Sequence, residues 1–140
     1  MKIHEIQEKI AEALNGAEEL VQGRCKAFAG DSLTVLNDVT QQLQLNKGVA
    51  VVVLTPKATG TGRTDNGGIE LDCRVSIKCM EIRALNEKAQ SRMTSLQAAE
   101  TIALLLDGEI FTFVDIVETI DHQRGVLVNT VNFDCSITLN

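Results

Sequence analysis

A glycine-rich segment near the middle of the chain, PKATGTGRTDNGG, has the composition of a phosphate-binding loop, because it follows the apolar run VVVL and carries Lys57 and Arg63. A phosphate cradle of the Walker type needs the spacing G-x-x-x-x-G-K-[ST] and a helix directly after it. Here no glycine stands five residues before Gly62, and Asp65 occupies the third glycine position of a dinucleotide-binding fingerprint. The residues from Ile69 onward alternate as in a strand, so the segment predicts a flexible hairpin tip rather than a nucleotide site.

The segment DIVETIDH supplies a second candidate, a metal or acid–base site. On a helix, Asp115, Glu118 and His122 would share one face, where they would be able to bind a metal ion. The apolar residues around them favour a strand, on which Asp115 and Asp121 point away from Glu118. A site needs convergent side chains, so we expect no metal ligands here. An acid-dependent hydrolase or metalloenzyme built on these residues is the less favoured alternative.

The cysteines are a third candidate, for metal binding, disulfides or nucleophilic catalysis. Their spacing contains no C-x-x-C pair, which argues against a zinc site and against a disulfide framework. Most of them occupy apolar positions of alternating segments, where cysteine behaves as a small hydrophobic residue. Since no Cys–His or Ser–His–Asp arrangement is discernible either, the sequence predicts no catalytic residue, no cofactor and no enzymatic activity. The cysteines are Cys25, Cys73, Cys79 and Cys135.

Composition narrows the class of partner. The chain has 140 residues, of which 44% are hydrophobic and only 3% aromatic, and this suits a single domain over residues 1–140 with an aliphatic core. Its net charge is −6 and its basic residues are scattered, so we expect no direct nucleic-acid binding. The charged segment KIHEIQEKIAEAL lacks the apolar core of a signal peptide, and the run VAVVVL is too short to cross a bilayer. We therefore expect an intracellular protein with no membrane contact.

Hydrophobic periodicity predicts the elements that would position these residues. Apolar residues at helical spacing predict helices over 2–15 and 33–45, and Thr94 with Gln97 forms a capping box that starts a third helix, ended by Gly108. Strands are predicted at 20–28, 49–55, 69–79, 110–120 and 126–139. Long strands joined by hairpins, with helices between them, indicate an α+β domain. We expect a mainly antiparallel sheet of four to five strands with two or three helices packed on one face.

The strand predicted at 69–79 carries the clearest signal, an unbroken alternation of apolar and polar residues. At about 3.3 Å per residue it would span roughly 36 Å, against about 17–20 Å for a typical strand. At residues 80–82 the apolar positions change parity, which predicts a bulge or a change of the element that covers the strand. A strand this long would project with its partner beyond a small domain, and the edges of a small sheet need covering. We therefore expect a homo-oligomer.

Several segments, taken in order, carry a family resemblance. They are the helix IHEIQEKIAEAL, the strand GVAVVVL, the alternating segment IELDCRVSIKCMEI, the helix TSLQAAETIALLLDG and the two closing strands. This order resembles the small tail-terminator or tail-completion (minor tail) proteins of long-tailed bacteriophages and prophages. The likeness covers nearly the whole chain, with one departure. The segment GDSLTVLNDVTQQLQLN predicts a stronger helix than we expect at that place in the family.

The resemblance implies a structural protein rather than an enzyme. It implies a ring, commonly a hexamer, that ends growth of the tail tube and joins the tube to the head connector. The partners would be tail-tube and connector proteins, met in the host cytoplasm and in the virion tail. It also implies that the glycine-rich loop makes subunit or tube contacts. The loop residues expected in such an interface are Lys57, Thr59, Arg63, Thr64, Asp65 and Asn66.

A second class of function stays open beside this one. A ligand-binding or peptide-binding α+β module of bacterial origin, without catalysis, would use the uncovered face of the sheet. A deep pocket lined by Val75, Ile77 and Phe133 would favour that alternative.

Overall fold

The computed structural model describes residues 1–31, 33–89 and 93–140, and within these ranges the chain forms five helices and six strands. The helices are α1 (Ile3–Asn15), α2 (Glu18–Gln22), α3 (Leu36–Gln44), α4 (Arg83–Asn86) and α5 (Ser95–Leu106). The strands are β1 (Cys25–Ala29), β2 (Val49–Val53), β3 (Lys57–Arg63), β4 (Ile69–Ile82), β5 (Thr112–Asp121) and β6 (Val126–Leu139).

These strands belong to one mixed sheet. Its order is β1-β2-β4-β6-β5, and β3 pairs with β4 beyond the end of β2. β1 and β2 are parallel, whereas β4 is antiparallel to β2, β3 and β6, and β6 is antiparallel to β5. The expected α+β class is confirmed, and the sheet is mainly antiparallel as expected. It is larger than expected because the glycine-rich segment, interpreted as a loop, contributes β3.

One face of the sheet, called the core face below, is covered by α1 and α5. Alternation along β4 buries Val75, Ile77 and Cys79 fully on this face. α1 is also held by a polar contact, since Gln7 Nε2 donates to the backbone oxygen of Val53 at 3.0 Å. The core face therefore contains the aliphatic core that the composition predicts.

α3 packs on the opposite face, called the outer face. The expectation that all helices pack on one face of the sheet is therefore wrong. Leu36 and Leu43 of α3 line a cavity together with Met80 and Val128, which are outer-face residues of β4 and β6. Because α1 and α3 cover opposite sides, Val49–Val53 is buried along its whole length, as its unbroken apolar run predicts. Hydrophobic spacing shows which side of a helix is buried, but it does not show which face of the sheet the helix covers. The position of α3 on the outer face was therefore not predictable from the spacing.

Two boundaries also differ from expectation. The strand expected at 20–28 is α2 followed by β1, and Arg24 between them has a left-handed backbone with φ 64°. The helix expected at 33–45 is shorter, at Leu36–Gln44. No helix in the described ranges has both the length and the apolar composition needed to cross a membrane.

The bulge expected at residues 80–82 does not form. β4, which lies wholly within the described residues, pairs with β6 in a single register along its length. Register shifts occur instead in the edge strands β3 and β5. The change of parity fits the other expected cause, a change of covering element. Met80 and Ile82 line the cavity against α3 on the outer face, whereas Glu81 occupies a core-face position and is fully buried there.

Candidate interaction surfaces

The β3–β4 hairpin forms an exposed arm, and all 7 residues of β3 are exposed. The turn is short. The backbone oxygen of Thr64 accepts from the N–H of Gly67 at 3.0 Å, and its hydroxyl accepts from the N–H of Gly68 at 2.9 Å. Gly67 has φ 83°, a left-handed conformation that favours glycine. The expected hairpin forms, but its loop is much shorter than expected, because most of residues 56–68 form a paired strand followed by a tight turn.

The residues expected to contact a neighbouring protein are spread along this arm and do not form one cluster. Lys57 and Thr59 lie on the outer face of the sheet, whereas Arg63 lies on the side of the core face. The remaining members belong to the turn: Thr64, Asp65 and Asn66. Contact of these residues with a neighbour stays a prediction.

A groove of about 770 Å³ lies over the outer face, between β3 and the loop that precedes β5. Its walls are polar and of mixed charge. Arg74 Nε donates to Asp134 Oδ1 at 2.6 Å, and Ser136 Oγ donates to Asp72 Oδ1 at 3.0 Å. The hydrogen bond and charge of Asp134 raise the pKa of the Arg74 guanidinium. Such walls suit a polar segment of chain better than an apolar ligand.

The apolar pocket considered for Val75, Ile77 and Phe133 does not form. All three side chains are fully buried on the core face. Phe133 packs edge to face against Phe111 and Phe113, with ring centroids 6.3 and 6.0 Å apart. The outer face of the sheet carries the polar groove and, beneath α3, the cavity lined by Met80 and Val128.

The acidic residues of β5 do not converge on a metal site. Glu118 lies opposite Asn129 on the core face, whereas Asp115 lies opposite Asn132 on the outer face and accepts from its Nδ2 at 2.7 Å. His122 lies in the turn between β5 and β6. Among the residues that the structure describes, no group of three or more His, Cys, Asp and Glu side chains is arranged to hold a metal ion.

β5 forms one edge of the sheet and leaves an apolar surface uncovered. Leu104, near the end of α5, and Ile110, in the loop before β5, are 85% and 70% exposed. Edge strands that combine free backbone groups with exposed apolar side chains are prone to pair with another chain. The apolar residues of β5 that are 38–52% exposed are Phe113, Val114, Val117 and Ile120.

A buried polar cluster joins β4 to α5, and hydrophobic patterning does not reveal it. Glu81 Oε1 accepts from the backbone N–H of Ser95 at 2.9 Å and from its hydroxyl at 3.0 Å, and Oε2 accepts from Asn86 Nδ2. Asn129 Nδ2 donates to Ser95 Oγ at 2.9 Å. The carboxylate lies at the N-terminus of α5, where negative charge is favourable. The cluster therefore fixes the start of α5 to the sheet, and its one sequence signal is the change of parity at 80–82.

Burial of the four cysteine thiols raises their pKa values and makes the stability of the fold depend on pH. It raises the pKa of Cys25 to about 12, helped by the charge of Glu81, and the pKa of Cys135 to about 11, helped by Cys73. Because the ordinary value is 9.0, the folded chain holds these protons more tightly than the unfolded chain does. The stabilisation is complete below the ordinary value and is lost as the pH rises through the folded-state values.

We therefore expect the free energy of unfolding to fall by on the order of 1 kcal/mol per thiol between about pH 8 and about pH 10. Urea titrations under reducing conditions measure it. The variant Cys25→Ala/Cys135→Ala is the control, and it should lose less stability over the same range. An equal loss in the variant and the wild type would show that these thiols do not cause the pH dependence.

No protein-family model matches the chain, and no curated protein matches it.

Proposed function

We propose that the chain is a structural protein of the tail-terminator or head–tail joining type, which forms a ring that caps the tail tube of a long-tailed bacteriophage or prophage. The observation that carries the proposal is a pair of uncovered strands in one sheet. β3 is exposed along its length, and β5 exposes apolar side chains. A ring needs two different surfaces on each copy, one for each neighbour. β3 and β5 supply such surfaces at opposite edges of the sheet.

The turn of the β3–β4 hairpin would make the contact along the tail axis. Its tip carries Asp65 and Asn66, both exposed, and Arg63, at the end of β3, is also exposed. Polar side chains of this kind suit a contact with the tail tube or the head connector that is set by hydrogen bonds and charge. On this proposal the chain acts by geometry, because a closed ring at the end of a tube blocks further addition of tube subunits.

Negative-stain electron microscopy of the purified chain tests the ring. We expect closed rings with a central opening, and a mass by light scattering that is a multiple of 15.2 kDa, with a hexamer as the form that the resemblance implies. Deleting the gene from an inducible phage or prophage should give lysates with headless tails of irregular length. A lone 15.2 kDa species at micromolar concentration, or normal tails from the deletion strain, would contradict the proposal.

A ligand-binding or peptide-binding module is the second candidate, and the outer-face groove favours it. The groove brings Lys57 and Arg74 close to Asp72 and Asp134, which suits a ligand or peptide segment that carries both charges. The same mass measurement separates the two candidates. A monomer that keeps a small ligand through purification would favour the binding module over the ring.

A further inference from the structure

We infer that neighbouring copies join head to tail by strand pairing, with β5 of one copy added to β3 of the next. The inference rests on the ring of the proposed function, since it names the two surfaces that would close that ring. A second copy of this chain would pair with each of the two edges. Backbone hydrogen bonds between the two strands would supply the contact, and side chains would choose the partner edge.

The two edges carry opposite charge. The segment 109–121 contains acidic residues and no basic one, whereas β3 contains basic residues and no acidic one. Two β5 edges brought together would place like charges opposite each other, which destabilises strand pairs, and the same holds for two β3 edges. Unlike edges attract, so charge favours the head-to-tail arrangement. The acidic residues are Glu109, Asp115, Glu118 and Asp121, and the basic residues are Lys57 and Arg63.

Strand direction favours the same arrangement. β5 runs parallel to β4 because both are antiparallel to β6, and β3 is antiparallel to β4. When two copies keep the same orientation, β5 therefore meets the neighbouring β3 as an antiparallel pair, and the two core faces continue each other. Lys57 then shares the outer face with Asp115 and Asp121, and Arg63 shares the core face with Glu118. Each basic residue thus has an acidic residue on its own face.

Side-chain size is complementary as well. β5 presents the large residues Phe113, Val117 and Ile120, whereas β3 has small residues between its two basic ones. At Gly60, a Cβ would meet no atom of the described residues within 4 Å, and the backbone is not left-handed. Packing within one chain therefore does not require glycine there. Glycine weakens a strand interior and often marks the close approach of another backbone, which the neighbouring copy would provide.

β1 is the less suitable acceptor for β5. α1, α2 and α3 all contact β1, and β1 has 5 residues against 7 in β3 and 10 in β5. The main contact of β3 is with β4, so its outward edge is accessible in the described part of the chain. β3 therefore offers the longer and more open edge.

Reversing one pair of charges tests the pairing. Arg63→Glu and Glu118→Lys should each weaken association at least about fivefold in sedimentation velocity at low salt, because like charges then meet on the core face. The double variant should return to within about twofold of the wild type, since the attraction is restored with its sign exchanged. Mixing the two single variants one to one should restore association in the same way. Single variants that associate as tightly as the wild type, or a double variant no tighter than the singles, would overturn the inference.

Three further variants separate a loss of strand pairing from a loss of folding and from a change in net charge. Glu8→Lys and Lys9→Glu make the same charge changes on the exposed side of α1, and they should leave association unchanged. Gly60→Val should keep the thermal midpoint of the monomer and weaken association at least about tenfold, because its side chain would take the space on the core face that the large side chains of the added β5 need. Association of Gly60→Val at wild-type strength would overturn the inference.

These results also separate this inference from the proposed function. Rings that survive the edge variants would leave the proposed function standing and remove the strand pairing. Open chains that depend on both edges but never close would support the pairing and contradict the ring. A wild-type chain that stays monomeric would overturn both.

Discussion

Glu81→Ala should lower the free energy of unfolding by about 3 kcal/mol and the thermal midpoint by about 10 °C. Its carboxylate accepts from Asn86 Nδ2 and from the N–H and hydroxyl of Ser95. Hydrogen bonds to a charged group contribute about 1.5–3 kcal/mol each, and a buried donor left without its acceptor costs a similar amount. Glu81 is fully buried, so these donors lose their acceptor away from bulk solvent. The start of α5 would then lose its attachment to β4.

Glu70→Ala is the matched control, because Glu70 lies on the same strand but is exposed on the outer face. Its thermal midpoint should stay within about 2 °C of the wild type. Glu81→Gln removes the charge of the side chain and nearly keeps its shape. It keeps one acceptor oxygen but turns an NH₂ group toward other donors. Its decrease in thermal midpoint should therefore lie between the decreases of the two alanine variants. Equal midpoints for Glu81→Ala and Glu70→Ala would show that the buried cluster does not hold α5.

The elements that bury one face were predictable from the sequence. β4 and β6 alternate because their core-face residues are buried while many outer-face residues are not, and the strand expected at 126–139 coincides with β6. α5 has helical spacing and a capping box, in which the N–H of Gln97 donates to Thr94 Oγ1 at 3.1 Å. In each case, burial of one side leaves a periodic trace in the residue types.

Features that depend on tertiary structure were not predictable in this way. β3 is exposed on both faces, so backbone pairing with β4 defines it and no apolar alternation accompanies it. β5 was expected as a strand from its apolar residues, but its position at the edge of the sheet, which exposes those residues, is a tertiary property. The buried acid Glu81 finds its partners Asn86 and Ser95 at separations of 5 and 14 residues. No local pattern connects these three.

The candidate surfaces, too, were predictable only where the signal is local in the sequence. Lys57 and Arg63 stood out because charged residues in a glycine-rich segment are conspicuous. For the acidic residues of β5, the sequence indicates only that they do not converge on a metal site, because nothing in a single strand's sequence shows that Glu118 lies at the edge of the sheet. The relation between the two charged edges depends on the sheet order, and it becomes visible only when that order is known.

Gly48→Ala should destabilise the fold by about 3 kcal/mol, although alanine adds only one methyl group. A Cβ at Gly48 would overlap the backbone oxygen of Arg24 and lie 2.8 Å from Gln42 Nε2. That oxygen accepts from Gln42 Nε2 at 2.9 Å and from the N–H of Val49 at 3.0 Å. The oxygen belongs to the backbone, so relief of the overlap would displace the junction of β1, α3 and β2. Overpacking of this kind costs about 1–3 kcal/mol, and the weakened hydrogen bonds add to it.

Gly108→Ala is the matched control, because Gly108 also follows a helix but a Cβ there would meet no described atom within 4 Å. Its free energy of unfolding, measured by urea titration, should stay within about 0.5 kcal/mol of the wild type. A glycine after a helix is ordinarily explained by a left-handed C-cap, but neither Gly48 nor Gly108 has a left-handed backbone. If glycine served only to end a helix, both positions would tolerate alanine about equally. A large loss at Gly48 alone would instead identify close packing of backbone against backbone as the reason for glycine there.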